Sequence, residues 1–545
     1  MASDLISNLY GNPHSACDPT KLSGHMVDET RIKTLQFFGA DPEHFDLVFA
    51  AIKLVMESFK DLGHASRADR QKDAGFRYFY HADAHNSVVG VRETADDDHR
   101  CFRNDEEVEE WLSGRAGYNS SAKLGLFAYP GQSNMTGRRL PLNWSGQLRH
   151  SSASQHQDTY SLLDAAALAT SSSLKPVFQD LDQAPDFTVL SFYKVFGYPD
   201  LGGLIVRKIS GRILQWGRKY FGGGTVEGVT VLGSKPWFQS RHTLHESLED
   251  GTLPFHSIIA LSAAIDTHRR LYGPDCMNAI SKHCTFLGRR LFEQLSSLMH
   301  PNGRPLIRIY NGKESTYGDA KTQGATVAFN VQKSDGRFVP YTSVVETLAN
   351  ERKIYLRAGQ LCNPGGIALH LGFEGWHVKK LWGSGHRCGA AHFTGTEIFQ
   401  GKPTGVVRVS LGAMTTMGNV DTLIRFLREE FMTPVQNSMT SRRITQLLPA
   451  PAPLHAQMLI RGRDEQFPVE RQFAPLNNGM ALRSQENILS PSPHPLAFSM
   501  NTSTFPPTPS MSGESHQPSR SGTPSYSVRS SERIGSFSVR EKISR

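Results

Sequence analysis

Cysteine is scarce in this chain. Six residues (Cys17, Cys101, Cys276, Cys284, Cys362 and Cys388) are spread over 545, and none forms a CxxC pair. That excludes a disulfide-stapled scaffold and a finger- or ribbon-type zinc site, and it points to a reducing compartment, the cytoplasm. Long apolar runs are missing as well. The longest candidate, SIIALSAAI from Ser257, is about half of the ~18–20 residues a membrane-crossing helix needs, so no span is expected. The opening MASDLISNLYGNP has no basic stretch and carries Asp4, which argues against a secretory leader. Neither sign of charge dominates: 59 Lys and Arg face 51 Asp and Glu, a net of +8. Residues 436–545 hold 12 basic and 7 acidic groups, so the first 435 residues are close to neutral and carry no nucleic-acid footprint. At 38%, hydrophobic residues are fewer than a wholly compact chain of this size would use.

Composition divides the chain. From Pro491 to Arg545, Ser and Pro make up 23 of 55 residues, which leaves too little apolar surface to offset backbone ordering. Residues 436–545 therefore read as a disordered Ser/Pro-rich tail, with Ser-Pro and Thr-Pro pairs such as Ser492-Pro493 and Thr508-Pro509 that suit proline-directed kinases. Ahead of it, short apolar runs read as buried strands: FDLVF (45–49), FRYFYH (76–81), LGLFAYP (124–130), FTVLSFY (187–193) and LGGLIVRK (201–208). Segments of helical period lie between them, with TYSLLDAAALATSS (159–172) read as one. This alternation predicts an α/β fold, a mainly parallel sheet covered on both faces, over residues 1–255. Residues 256–435 hold a long helical stretch after Gly251, the runs ATVAFNVQ (325–332) and GVVRVSLGA (405–413), and the amphipathic VDTLIRFLREEF (420–431). They read as a smaller α+β domain.

Four polar residues stand at or just beyond the ends of successive apolar runs: His85, Asn134, Asp164 and Lys194. A parallel sheet carries such positions to one rim, where ligands of open α/β sheets bind. A pyridine aldehyde cofactor unites the four. A lysine condenses with its aldehyde, a carboxylate keeps the ring nitrogen protonated, an aromatic base covers the ring and an amide meets the phenolic oxygen. Ser191 and the turn FGGGTV (221–226), with Thr225, offer hydroxyls and backbone N–H groups to a phosphate. Taken singly, each also reads as an ordinary strand end, cap or turn residue.

The segments SNLYGNPHS (7–15), HADAHNSVVGVR (81–92), FAYPGQSNMTGRRLPL (127–142), LLDAAAL (162–168), LSFYKVFGYPDLGGLIVRK (190–208), LEDGTLPF (248–255), LRAGQLCNPGG (356–366) and GKPTGVVRVSLGAMTT (401–416) resemble, in order, the aminotransferase class V domain of molybdenum cofactor sulfurases. The resemblance spans essentially all residues before the tail. It implies a fold-type I pyridoxal-phosphate-dependent transferase, related to cysteine desulfurases and usually dimeric in its relatives. Carried over by position, Lys194 holds the cofactor aldehyde, Asp164 the ring nitrogen, His85 the ring face, Asn134 the phenolic oxygen, and Ser191 the phosphate.

The same resemblance makes Cys362 the sulfur nucleophile that leaves a persulfide and alanine, and Arg408 the clamp on the substrate carboxylate. Arg357, five residues before Cys362, is the cation expected to favour thiolate, and Asn363-Pro364-Gly365-Gly366 is expected to form a mobile loop that swings the persulfide out. Cys388, in GSGHRCGA, is noted as a second thiol without an assigned role.

The chain departs from the family in four places. It begins close to SNLYGNPHS, without a preceding strand and turn that line the site. DLVFAAIKLV passes from strand to helix without the short loop that holds the cofactor phosphate. Gln360-Leu361-Cys362 replaces a Cys-x-Cys, and the tail does not resemble the domain that grips molybdenum cofactor. The expected function is a cysteine-desulfurase-like sulfurtransferase acting on L-cysteine, with molybdenum cofactor or an acceptor protein receiving the sulfur, in a homodimer with no nucleic-acid or membrane partner. The alternatives are another pyridoxal-phosphate lyase or transferase of specialised metabolism, or a catalytically silent relative that works through its tail.

Overall fold

A computed structural model describes residues 7–65, 75–95, 98–115, 124–216, 218–233, 235–387 and 396–432. The expectations for residues 436–545 and Cys388 lie outside the described residues. Strands β1 (Phe45–Val48), β2 (Arg77–His81), β3 (His99–Phe102), β4 (Gly125–Pro130), β5 (Thr159–Asp164), β6 (Phe187–Ser191) and β7 (Gly202–Arg207) form one sheet in the order β1-β7-β6-β5-β4-β2-β3. β2 to β6 run parallel, and β7 is antiparallel to both of its neighbours.

Alternation along each strand sends successive side chains to opposite faces. In β2, Tyr78 and Tyr80 stack on one face with ring centroids 5.3 Å apart, while Phe79 packs on Trp111 at 4.6 Å on the other. Both faces are covered, which is why the strands read as continuous apolar runs rather than alternating ones. Helices α1 (Asp18–Phe38), α2 (Ile52–Ala65), α3 (Asn86–Val89) and α4 (Phe192–Phe196) belong to this region, and α5 (Phe255–Tyr272) packs against α1.

One reading is corrected here. Residues 159–164 form a central strand, not the start of a helix. Leu162 and Leu163 face the two different cores and Asp164 is the last strand residue, so burial between β4 and β6 overrides the local spacing of three and four.

Helix α6 (Cys276–Ser296) spans two cores. Its first turns, with Met277 and Ile280, join the core of the large sheet, and Leu287, Leu291 and Leu295 join a second core. That second core underlies an antiparallel sheet of β10 (Ile307–Tyr310), β11 (Thr326–Val331), β12 (Arg357–Gly359) and β15 (Val406–Ser410), ordered β10-β11-β15-β12. Helices α7 (Pro364–Leu371) and α8 (Met417–Phe431) follow β12 and β15 in the chain. Two small ribbons complete the described fold, β8 (Val226–Thr230) with β9 (Trp237–Ser240), and β13 (Ile398–Phe399) with β14 (Lys402–Pro403).

Candidate active site

The carboxyl ends of β2, β4, β5 and β6 converge on a cavity of about 510 Å3, lined among others by His85, Asn134, Asp164, Ser191 and Lys194. Each reaches it for a local reason. His85 is the N-cap of α3, its Nδ1 accepting from Ser87 N at 3.2 Å. Asp164 closes β5. Lys194 does not end a strand as the sequence suggested. β6 stops at Ser191 and the chain turns through α4, so Lys194 projects from a short helix that the left-handed Gly197 terminates (φ 81°).

A second cavity, of about 1190 Å3, shares His85, Asn134 and Lys194 and adds Arg357, Cys362 and Arg408. Among the described residues, five cations line it (Lys194, Arg352, Lys353, Arg357 and Arg408) and no carboxylate does. Arg357 Nη2 donates to Cys362 Sγ at 3.7 Å, and Arg408 Nη1 donates to the Asn134 carbonyl at 2.8 Å. Burial, with Arg357 adding to it and Cys362 opposing, pushes Arg408 down to about 10, so it stays charged near neutral pH. Its buried Nε has no hydrogen-bond partner among the described residues. Burial also lowers His85, opposed by Asp164 and assisted by Lys194 and Arg357, which keeps the imidazole neutral at neutral pH.

The residues fit a pyridoxal-phosphate ring. Asp164 is 8% exposed, and of its two oxygens only Oδ1 has a partner among the described residues, accepting from Ala166 N at 3.0 Å. A buried carboxylate oxygen left open toward a cavity suits a protonated ring nitrogen. The Lys194 ammonium makes no hydrogen bond or ion pair with a carboxylate among the described residues. The link from β1 to α2 is only residues 49–51, yet Ala51, Ile52 and Lys53 still line the smaller cavity beside Ser191. The shortened link therefore delivers a helix N-terminus to the place where the sequence suggested an anion site had been removed.

Two expectations fare differently. Thr225 lines neither cavity. It is 1% exposed and its hydroxyl donates to the Gly222 carbonyl at 2.8 Å, so the turn satisfies itself within one chain. The segment after Cys362 is not a loose loop. Asn363 caps α7, its Oδ1 accepting from Gly366 N at 2.8 Å, and Pro364 occupies the first turn. Its glycines serve close packing: a Cβ on Gly365 would lie 2.0 Å from the Ala82 carbonyl oxygen.

Asp83 and Ser133 went unread in the sequence, and Asn363 was read there as part of a mobile loop and not as a residue that organises the site. Asp83 Oδ1 accepts from Ser133 Oγ and from Asn363 Nδ2, both at 2.7 Å, and Asn363 Nδ2 also donates to Asn134 Oδ1 at 3.0 Å. Asn134 in turn donates from Nδ2 to the Leu361 carbonyl at 2.8 Å, which leaves one amide N–H for a ligand. The Asn-Pro pair was a helix-start signal that could have revealed Asn363. Nothing local marked Asp83 or Ser133.

Residues 118–423 match the family described as Aminotransferase class-V. The chain is 50% identical over 440 residues to a molybdenum cofactor sulfurase of Botryotinia fuckeliana, covering 79% of this chain and 51% of that protein. It is 47% identical over 436 residues to one of Aspergillus niger, covering 79% and 50%. The chain thus spans about half the length of the curated relatives it matches. Among solved structures, a cysteine desulfurase from Thermococcus onnurineus superposes with a TM-score of 0.55 at 18% identity, covering 78% of this chain and 89% of that one. At that identity the likeness speaks for the fold.

Proposed function

Because the chain belongs to the aminotransferase class-V family, we propose that it is a pyridoxal-phosphate-dependent sulfurtransferase of the cysteine desulfurase kind, which takes sulfur from L-cysteine as a persulfide on Cys362 and releases alanine. The observation that carries this reading is the shared wall of the two cavities. Lys194, His85 and Asn134 line both, Asp164 lies on one side, and Cys362 and Arg408 on the other.

Lys194 would hold the cofactor aldehyde, Asp164 its ring nitrogen, His85 its ring face and Ser191 its phosphate. When bound, the cofactor supplies an electron sink for the substrate's α-carbon. Arg408 binds the substrate carboxylate and so aims the thiol group toward Cys362. Once the substrate is held, Lys194 is the base within reach of its α-hydrogen. Cys362 thiolate attacks the substrate sulfur. A sulfur–sulfur bond forms, the carbon–sulfur bond breaks, and its electron pair stays with the carbon skeleton, which takes up protons to leave as alanine. Arg357, against the attacking sulfur, stabilises negative charge there.

We assign molybdenum cofactor, or a protein that carries it, as the acceptor, on the strength of the relatives. A homodimer is supported by the apolar β8–β9 ribbon, whose Trp237 is 55% exposed and whose connecting Leu232 is 93% exposed. The cytoplasm is supported by the cysteine usage; among the described residues no helix is long and apolar enough to cross a membrane.

The test is spectroscopic and chemical. Protein incubated with pyridoxal phosphate is expected to gain a visible absorbance band that Lys194→Ala lacks, and to release alanine from L-cysteine in a reaction that Cys362→Ser abolishes. A protein that stays colourless with the cofactor would end this reading.

A further inference from the structure

Building on that reading, we propose that Asp83 and Asn363 are positioning residues that hold Cys362 as a stationary thiol, so that sulfur is handed on inside the cavity instead of being carried out on a moving segment. Four observations converge. Leu361 and Cys362 adopt φ of 57° and 54°, a left-handed pair in two non-glycine residues that persists only where the surroundings impose it. Both of their carbonyls are engaged, Leu361 O by Asn134 Nδ2 at 2.8 Å and Cys362 O by Asn86 N at 2.9 Å. Leu361 is itself 2% exposed, in an apolar cluster with Met135 and Ile367. The residue after the thiol, Asn363, is fully buried and bonded to Asp83, Asn134 and Gly366.

Asp83 is the keystone because its turn does three jobs. Its carboxylate binds Asn363, and two residues on His85 lines the cavities. The next residue, Asn86, holds the Cys362 carbonyl. Releasing Cys362 for an outward swing would take Asn363 away from the buried Asp83 carboxyl group and leave it Ser133 as its side-chain donor, and a buried acceptor that loses a donor is costly. The hand-over itself needs no movement of the thiol and no oxidant. An acceptor thiolate attacks the outer sulfur of the persulfide, the bond between the two sulfurs breaks, and its electron pair leaves with Cys362 Sγ.

The experiment uses full-length protein persulfidated with polysulfide, so it does not depend on turnover of L-cysteine. Transfer is followed by mass spectrometry of the Cys362 peptide, with dithiothreitol or reduced thioredoxin as acceptor. Native protein is expected to deliver sulfur to dithiothreitol at least about tenfold faster than to thioredoxin after correction for their rates with a free persulfide peptide. Asn363→Ala should narrow that gap and speed alkylation of Cys362 by a bulky maleimide, whereas Asp83→Asn, which can still accept from Asn363, should preserve both. Equal delivery to the two acceptors by native protein, or an Asn363→Ala protein indistinguishable from it, overturns the proposal. Should Asn363→Ala fail to fold, hydrogen exchange on native protein decides. Slow exchange at the Asn86 and Gly366 amides is expected, and exchange at free-peptide rates rejects the latch. Failure to release alanine from L-cysteine would count against the sulfurtransferase reading alone.

Discussion

Arg357 on β12 stands directly opposite Arg408 on β15, two like charges paired across antiparallel strands at the wall of one cavity. Such a pair is destabilising unless an anion lies between or beside the two groups. The sheet therefore keeps an unfavourable contact that an anionic ligand would relieve.

The two arginines should separate in kinetics. Arg408→Gln removes the partner proposed for the substrate carboxylate and is expected to raise KM for L-cysteine by about 10- to 100-fold, the worth of a charge-assisted hydrogen bond. Arg357→Gln, next to the sulfur, is expected to lower kcat by about tenfold or more with a smaller change in KM. Steady-state alanine release with L-cysteine as the varied substrate measures both. Identical profiles for the two variants would contradict the assignment.

Stability rests in part on a buried ion pair remote from the chemistry. Arg31 on α1 meets Glu249 through two 2.9 Å hydrogen bonds, with the side chains 5% and 4% exposed, and Glu249 Oε1 also accepts from Phe49 N at 2.6 Å. Glu249→Ala leaves a buried cation unpaired and is expected to cost about 3–5 kcal/mol in urea unfolding. Replacing both partners with apolar residues should cost much less. Since Phe49 begins the link to α2, Glu249→Ala should also weaken binding of pyridoxal phosphate, read by absorbance titration.

Acid sensitivity should trace partly to His156. Its ring is 4% exposed, meets Trp111 edge-on at 4.6 Å and bonds Ser151 Oγ through Nδ1 at 2.5 Å. Burial pushes it down to about 4, with Arg77 adding and a backbone hydrogen bond at Trp111 opposing. The unfolded chain, near 6.5, therefore binds the proton first. Stability is full above about pH 6.5 and declines as pH falls toward 4, by about 3 kcal/mol at most from this group. Urea midpoints measured between pH 7 and 4 should fall less steeply in His156→Gln.

Much of this was legible in the sequence, for identifiable reasons. Strands buried on both faces announce themselves as apolar runs, and β1, β2, β4, β6 and β7 all lie within the runs read beforehand. The ends of the apolar runs then pointed to His85, Asn134 and Asp164, because a parallel sheet brings one end of every strand to a common rim, whereas Lys194 reaches the same cavity from α4. β5 was misread because Leu162, Leu163 and the alanines after Asp164 keep a helical spacing that only the neighbouring strands overrule. The turn at residues 221–226 looked like a phosphate cradle, but a glycine-rich string does not reveal that Thr225 turns its hydroxyl on its own loop. Gly365-Gly366 suggested slack, whereas the structure uses the missing side chains for contact. Asp83 and Ser133 were invisible because their partners lie 280 and 50 residues away in the chain.

Gly365 carries a practical consequence. Its α-carbon rides so near the Ala82 carbonyl that even a methyl group has no room, so an alanine there acts as a wedge between α7, which follows Cys362, and the turn that leads to His85. A collection of such wedges of graded size would work as a molecular spacer, setting how far apart the sulfur and the imidazole wall stand without altering either reactive group.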